Sequence, residues 1–322
     1  MRSSFTSAMF FGSVFALAVF VHSAAQIELS RAGSPRYVSR EFSVHTPDGL
    51  TIAAKERGCE DGPAILFVHG LAHTRVSWLR QFDSPLAREF HLVAYDLRGH
   101  GCSDRPAGDE FYTEGHRWGD ELAAVIKYAH LHRPVVVAWS LGGVVVMNYI
   151  RDHGDSNLAG VVLVDAVTHF SPELFGDGNA ALVQPLQSPD TTVRSAATRC
   201  FISECFVVPP KPAELDLILA RAGVLPASVH AAIPRVSLDH GDEVLRSVRV
   251  PTLVIHGAKD GLTLPLMAQR TVSLVPGARL SLYADAGHAP FFDDTARFND
   301  ELASFVREAN RDASKKVDCV GK

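Results

Sequence analysis

The residues best suited to chemistry follow an apolar run, in Val135-Val136-Val137-Ala138-Trp139-Ser140-Leu141-Gly142-Gly143. A strand that turns abruptly into a helix holds the apex serine, Ser140, in a strained backbone conformation with its hydroxyl clear of the sheet. The residues two before and two after the apex must be small, because the turn brings two backbones together. Ala138 and Gly142 meet that demand, although the strict pattern carries glycine at both places. A serine hydroxyl is a poor nucleophile without a base. Of 15 histidines, His288 stands out, since Asp285-Ala286-Gly287-His288-Ala289-Pro290-Phe291 follows the last strand-like run. A third group must fix the imidazole tautomer and stabilise its cation. Asp260, in Ile255-His256-Gly257-Ala258-Lys259-Asp260, follows the run before it; its rival is Asp165, at the end of Val161 to Val164. Negative charge developing on a substrate oxygen needs backbone donors. The amide of Leu141, directly after the serine, is one; the amide of Leu71, in His69-Gly70-Leu71-Ala72, is the other.

Other chemistry finds less support. There is no Cys/His metal spacing, no HExxH and no GxxxxGK[ST] loop, so neither metal nor cofactor is expected. His69 and Gly70 shape the oxyanion loop, while His73 and Trp78 either line the site or pack. Asp96-Leu97-Arg98-Gly99-His100-Gly101 reads as a structural turn. The five cysteines, Cys59, Cys102, Cys200, Cys205 and Cys319, are too few and scattered for a disulfide framework. Cys200 and Cys205 pair only if the chain between them bends, because a regular helix holds them too far apart.

The elements that must position these groups alternate in period. Arg40 to Thr46 and Leu50 to Lys55 flank Pro47-Asp48-Gly49, a hairpin signal. Buried strands are expected at Ala64 to Val68, His91 to Tyr95, Val135 to Ala138, Val161 to Val164, Thr252 to His256 and Arg279 to Tyr283. Helical spacing falls at Glu114 to His130, Leu141 to Arg151, Leu264 to Leu274 and Thr295 to Arg307. Continuous apolar strands separated by helices indicate an α/β fold, a mostly parallel sheet covered on both faces. The rhythm stops from Val167 to about Leu238, where eight prolines and short helical patches mark a helical insertion. The expected organisation is a core over 40–166 and 239–310, a cap over 167–238 and a flexible tail over 311–322. Phe201 and Phe206 either roof a pocket or pack within that cap.

The 322 residues carry a net charge of −5 and are 47% hydrophobic. That balance offers no electrostatic footprint for nucleic acid or an anionic membrane, and the apolar content excludes a disordered chain. Arg2, the apolar run from Ala8 to Val21 and the small residues Ser23-Ala24-Ala25 read as a cleaved signal peptide over 1–25. The expectation is a secreted or periplasmic protein with no stable membrane span after cleavage. An uncleaved anchor is the alternative, for which the run is short.

With these residues in place, the sequence resembles the α/β-hydrolase superfamily from about Glu41 to Arg307, in its single-cap lineage. The shared segments are the His69-Gly70 loop, the Asp96–Gly101 turn, the elbow at Ser140, the cap, Asp260 and His288. Trp139-Ser140-Leu141-Gly142-Gly143 resembles the elbows of biotin-pathway methyl ester carboxylesterases and of cofactor-free haloperoxidases or perhydrolases. The resemblance implies a serine hydrolase of small carboxylic esters with a Ser140-Asp260-His288 triad. Dehalogenases and epoxide hydrolases of this shape carry an apex aspartate, which Ser140 argues against. The alternatives are a perhydrolase, a carbon–carbon bond hydrolase with the same triad, and a ligand-binding receptor on this scaffold.

Overall fold

The computed structural model describes residues 36–320, with side chains to 311; the signal-peptide reading of 1–25 lies outside the described residues. The hairpin forms as β1 (Tyr37–His45) and β2 (Thr51–Cys59), antiparallel, with Gly49 at φ 86° in the turn. Ile52, Ala54 and Glu56 face inward along β2, and their neighbours do not, as period-two burial requires. Then come β3 (Ala64–Val68), β4 (His91–Tyr95), β5 (Val135–Trp139), β6 (Gly160–Val164) and β7 (Thr252–Gly257), every residue buried. The edge strand β8 (Arg279–Tyr283) is largely open to solvent on both faces.

The eight strands lie in the order β1-β2-β4-β3-β5-β6-β7-β8, with β2 antiparallel to both neighbours and the other pairs parallel. Chain order therefore reverses at β3, which has β4 on one side and β5 on the other. Val68 pairs with Ala138, so the loops that begin at His69 and Ser140 leave adjacent strand ends. A crevice opens at such a reversal, outside the carboxyl ends of the strands.

The longer helices are α1 (Gly115–Tyr128), α2 (Leu141–His153), α3 (Asp177–Leu186), α4 (Thr191–Glu204), α5 (Pro212–Ala222), α6 (Ala227–Ala232), α7 (Gly241–Ser247), α8 (Pro265–Leu274) and α9 (Thr295–Val320). Trp118, Leu122 and Val125 form the buried stripe of α1, which ends before His130 at φ 50°. Every residue of α2 from Leu141 to Ile150 is buried. Helices α3 to α7 occupy the stretch between β6 and β7. Asp190 caps α4 by accepting from the Thr192 amide at 2.7 Å, and Pro212 starts α5 where its missing N–H costs nothing. The last helix runs through 311–320, the segment whose composition suggested a flexible tail; no proline or glycine interrupts it before Gly321. Among the described residues no single helix is long and apolar enough to cross a membrane.

The Asp96–Gly101 turn is a structural fastening. Arg98 is fully buried; its guanidinium donates to Glu121 at 2.8 Å, Asp48 at 2.8 Å and the carbonyls of Phe111 and Arg117. Asp96 accepts from the Arg75 guanidinium and from the amides of Arg75 and Cys102. Removing one partner of a buried pair leaves the other desolvated and uncompensated. Arg98→Met is therefore expected to destabilise the fold by about 3–5 kcal/mol. Urea unfolding of the variant and the parent checks this; a loss below about 1 kcal/mol would show the pair dispensable.

Candidate active site

Ser140 stands between β5 and α2 at φ 53°, ψ −116°, the conformation expected of an apex residue between strand and helix. Ladder bonds hold it there: its amide donates to Val164 O at 3.0 Å, and its carbonyl accepts from Gly143 and Val167, each at 2.9 Å. Gly142 is required by contact, since a Cβ there would lie 2.8 Å from Val68 O. A Cβ on Gly70 would lie 2.9 Å from the Ser140 Cβ, so the loop after β3 passes directly against the serine.

That loop is oriented by His69. Its Nδ1 lies 2.7 Å from Gly70 O and must donate; its Nε2 accepts from the Leu97 amide at 2.9 Å. Both nitrogens are thereby used in one neutral tautomer. The Gly70 carbonyl and the Leu71 N–H belong to one peptide and point in opposite directions. Fixing the carbonyl on His69 thus aims the Leu71 amide the other way. Among the described residues, neither the Leu71 nor the Leu141 amide has a protein acceptor.

His288 Nδ1 lies 2.7 Å from Asp260 Oδ2. A carboxylate only accepts, so Nδ1 is the donor in this pair. Trp139 Nε1 donates to the His288 carbonyl at 2.6 Å, tying the histidine loop to the residue before Ser140. Asp260 also accepts from the Leu262 amide at 2.8 Å, the Thr263 amide at 3.1 Å and Thr263 Oγ1 at 2.8 Å. Burial alone would raise its pKa; the His288 imidazole, His256 and the Leu262 amide outweigh burial and hold it below the ordinary carboxylate value.

Asp165 lies in the same cluster but not on the imidazole. Its Oδ1 accepts from the Gly257 amide at 2.9 Å, and Oδ2 has no protein partner among the described residues. Burial and the neighbouring Asp260 charge push its pKa well up, so it stays protonated where Asp260 is ionised. His256 Nε2 donates to Thr263 O at 3.0 Å, with both carboxyls slightly further away. Asp260, and not Asp165, is the carboxylate in contact with His288.

A cavity of about 200 Å³ opens over these groups, lined by Ser140, His288, Thr263, Leu71 and Leu141 on the sheet side. Phe175, Leu186, Phe201 and His230 close it from the segment between β6 and β7. Phe206 lies elsewhere, against Phe292 at a centroid distance of 4.8 Å and facing His73. His73 and Trp78 pack around Trp139 and are not on the cavity wall. Cys200 and Cys205 are unpaired, the first exposed and the second buried with its thiol toward Phe201 O. Thr263, His256 and His230 were not singled out from the sequence. A threonine three residues after an acid is an ordinary turn pattern, and nothing local marks His256 or His230 among 15 histidines.

The chain matches the family model described as alpha/beta hydrolase family over residues 65–301, and it belongs to that family. It is a hydrolase of the α/β class. The solved structure of a candidate aryl esterase from Burkholderia cenocepacia is similar at 37% identity and TM-score 0.81, over 84% of this chain and 100% of that one. A bifunctional esterase/perhydrolase of Acinetobacter calcoaceticus is 28% identical over 281 residues, covering 82% of this chain and 99% of its own. A non-heme chloroperoxidase of Streptomyces lividans is 27% identical over 279 residues, with the same two coverages.

Four buried histidines make the site acid-sensitive. Burial holds His69 and His100 down to about 3 and His230 to about 4; burial and neighbouring histidines hold His73 well below its ordinary value. The unfolded chain protonates each near pH 6.5 while the folded protein leaves it neutral. Their contribution is therefore fully present above about pH 6.5 and is lost as pH falls toward 4 and 3, by about 1.4 kcal/mol per histidine per pH unit. Asp165 and Glu121, the latter pushed up to about 7 by burial, act oppositely, their raised pKa values favouring the fold at low pH, but these two oppose the four histidines and His256, which burial also holds down. The urea midpoint is expected to be lower at pH 5 than at pH 7; an unchanged or higher midpoint at pH 5 would contradict neutral burial.

Proposed function

We propose that the protein is a serine hydrolase of small carboxylic esters that works through an acyl-enzyme on Ser140. The observation that carries this reading is the 2.7 Å His288–Asp260 pair on the cavity that also holds the strained Ser140. His288 Nε2 takes the proton from Ser140 Oγ as that oxygen attacks the carbonyl carbon. The Leu71 and Leu141 amides hold the oxyanion, and Asp260 stabilises the imidazolium. Collapse breaks the ester bond, and the departing alkoxide leaves with the proton from His288. Water then gives a proton to His288 and attacks the acyl carbon, which releases the acid and regenerates Ser140.

The helical segment between β6 and β7 acts in this reading as a cap that selects the substrate. Met1–Ala25 supports export with cleavage of that leader, which N-terminal sequencing of the recovered protein checks. The relative named as an esterase/perhydrolase favours a second reading, in which hydrogen peroxide replaces water and the product is a peracid. Peroxide-dependent halide oxidation in the presence of a carboxylic acid distinguishes it.

Turnover of p-nitrophenyl acetate separates an enzyme from a receptor on this scaffold. Ser140→Ala and His288→Ala are each expected to lower kcat by about 10³-fold or more. Near-normal turnover by folded Ser140→Ala would remove Ser140 as nucleophile. Asp260→Asn should cost far more activity than Asp165→Asn, because asparagine can neither stabilise the imidazolium nor hold the same tautomer; the reverse ranking in equally stable variants would move the acid to Asp165. Phe201→Trp, on the cavity wall, should shorten the preferred acyl chain, as a series of p-nitrophenyl esters would report. Uniform scaling of every ester would mean that Phe201 does not select.

A further inference from the structure

The cavity is apolar over most of its wall, as at Val144, Phe175, Leu186 and Phe201, and among the described residues no Asp, Glu, Lys or Arg lines it. Ser140, Thr263 and His288 are its polar groups at the reacting end. The others, Asn179, Gln187 and His230, all come from the segment between β6 and β7.

His230 is the unusual one. It sits on α6 and is 3% exposed, yet its Nε2 has no hydrogen-bond partner among the described residues. A buried ring nitrogen left without a partner is expensive, and His230 is one of the residues that line the cavity. The His230 carbonyl accepts from Gln187 Nε2 at 3.5 Å. Burial holds the imidazole neutral, with a pKa of about 4, so it offers one donor and one acceptor but no charge. The Arg194 guanidinium, the charge that acts on His230, is directed to the carbonyls of Ser188, Pro189 and Leu225. A carboxylate in this cavity would meet no lining cation.

We propose that His230 is a specificity-determining residue, and that the substrates are uncharged esters whose otherwise apolar body carries one hydroxyl or carbonyl oxygen for it to bind. This rests on the ester-hydrolase reading for the reacting end, but its test does not depend on turnover.

The test is a ligand-detected NMR titration of Ser140→Ala at pH 7.5 with two matched pairs. Methyl 4-oxopentanoate against methyl pentanoate places the oxygen on the acyl side; 3-oxobutyl acetate against butyl acetate places it on the alcohol side. In one pair at least, the oxygenated ester is expected to bind about tenfold more tightly, the worth of one net hydrogen bond. The preference should fall to parity in Ser140→Ala/His230→Phe and persist in part in Ser140→Ala/His230→Gln. Monomethyl succinate, with a carboxylate in the same region, should bind more weakly than either neutral oxygenated ester. Equal affinity within both pairs overturns the proposal without any variant. So does a preference that survives His230→Phe, or tighter binding of the carboxylate. Failure of the wild-type protein to turn over p-nitrophenyl acetate, with the binding preference intact, would instead overturn the hydrolase reading.

Discussion

The backbone of Ser140 is the constraint from which the site follows. A non-glycine residue at φ 53° costs on the order of 1–3 kcal/mol and persists only when its surroundings over-determine it. Here they do. The ladder to Val164, the two bonds into the Ser140 carbonyl and a fully buried α2 leave the peptide no alternative. The same geometry dictates what lies nearby. Strand and helix meet so closely that Gly142 admits no side chain, and the loop after β3 runs so near that Gly70 admits none either. Both donor amides are thus placed beside the serine by the packing that strains it.

Electrostatics then decide which of two buried acids is ionised. Asp165 and Asp260 lie in one cluster with His288, and a low-dielectric interior does not hold two adjacent carboxylates charged. Protein donors break the tie. Asp260 receives two amides, the Thr263 hydroxyl and the His288 N–H; Asp165 receives the Gly257 amide alone. Hydrogen bonds to the charged form favour ionisation, so the proton resides on Asp165. A neutral acid in contact with the cluster leaves the negative charge of Asp260 undivided for the imidazole.

The legible part of the sequence was the part governed by local rules. Runs of four or five residues became β3 to β6 within one residue, because strands buried on both faces need no alternation. Small residues around Ser140 announced a turn whose sterics admit little else. Asp260 against Asp165 was only half legible: both follow strands, and the difference lies in donors supplied by Leu262 and Thr263 through the turn. Phe201 and Phe206 were indistinguishable, since five residues along the chain turn one into the cavity and leave the other on Phe292. Their directions depend on how α4 docks, which no local pattern encodes. His230 was invisible for the same reason.

The two sides of the cavity differ in the physical demands on them. On the sheet side, polar atoms must be held to a few tenths of an ångström, and nearly all are fastened by backbone bonds or by Trp139. The opposite side consists of short helices with many half-exposed residues, fastened at points such as Asp293, which accepts from the amides of Val207, Val208 and Gly287. Those three bonds join the end of α4 to the loop that carries His288. A shift of that helix is therefore felt at the histidine as well as at the cavity wall. The lining on this side is largely apolar, and in the proposed reaction the attraction between Asp260 and a protonated His288 is stronger in such surroundings than in solvent. Removing side chains from this wall would wet the pair, weakening the acid's hold on the imidazolium without touching either residue.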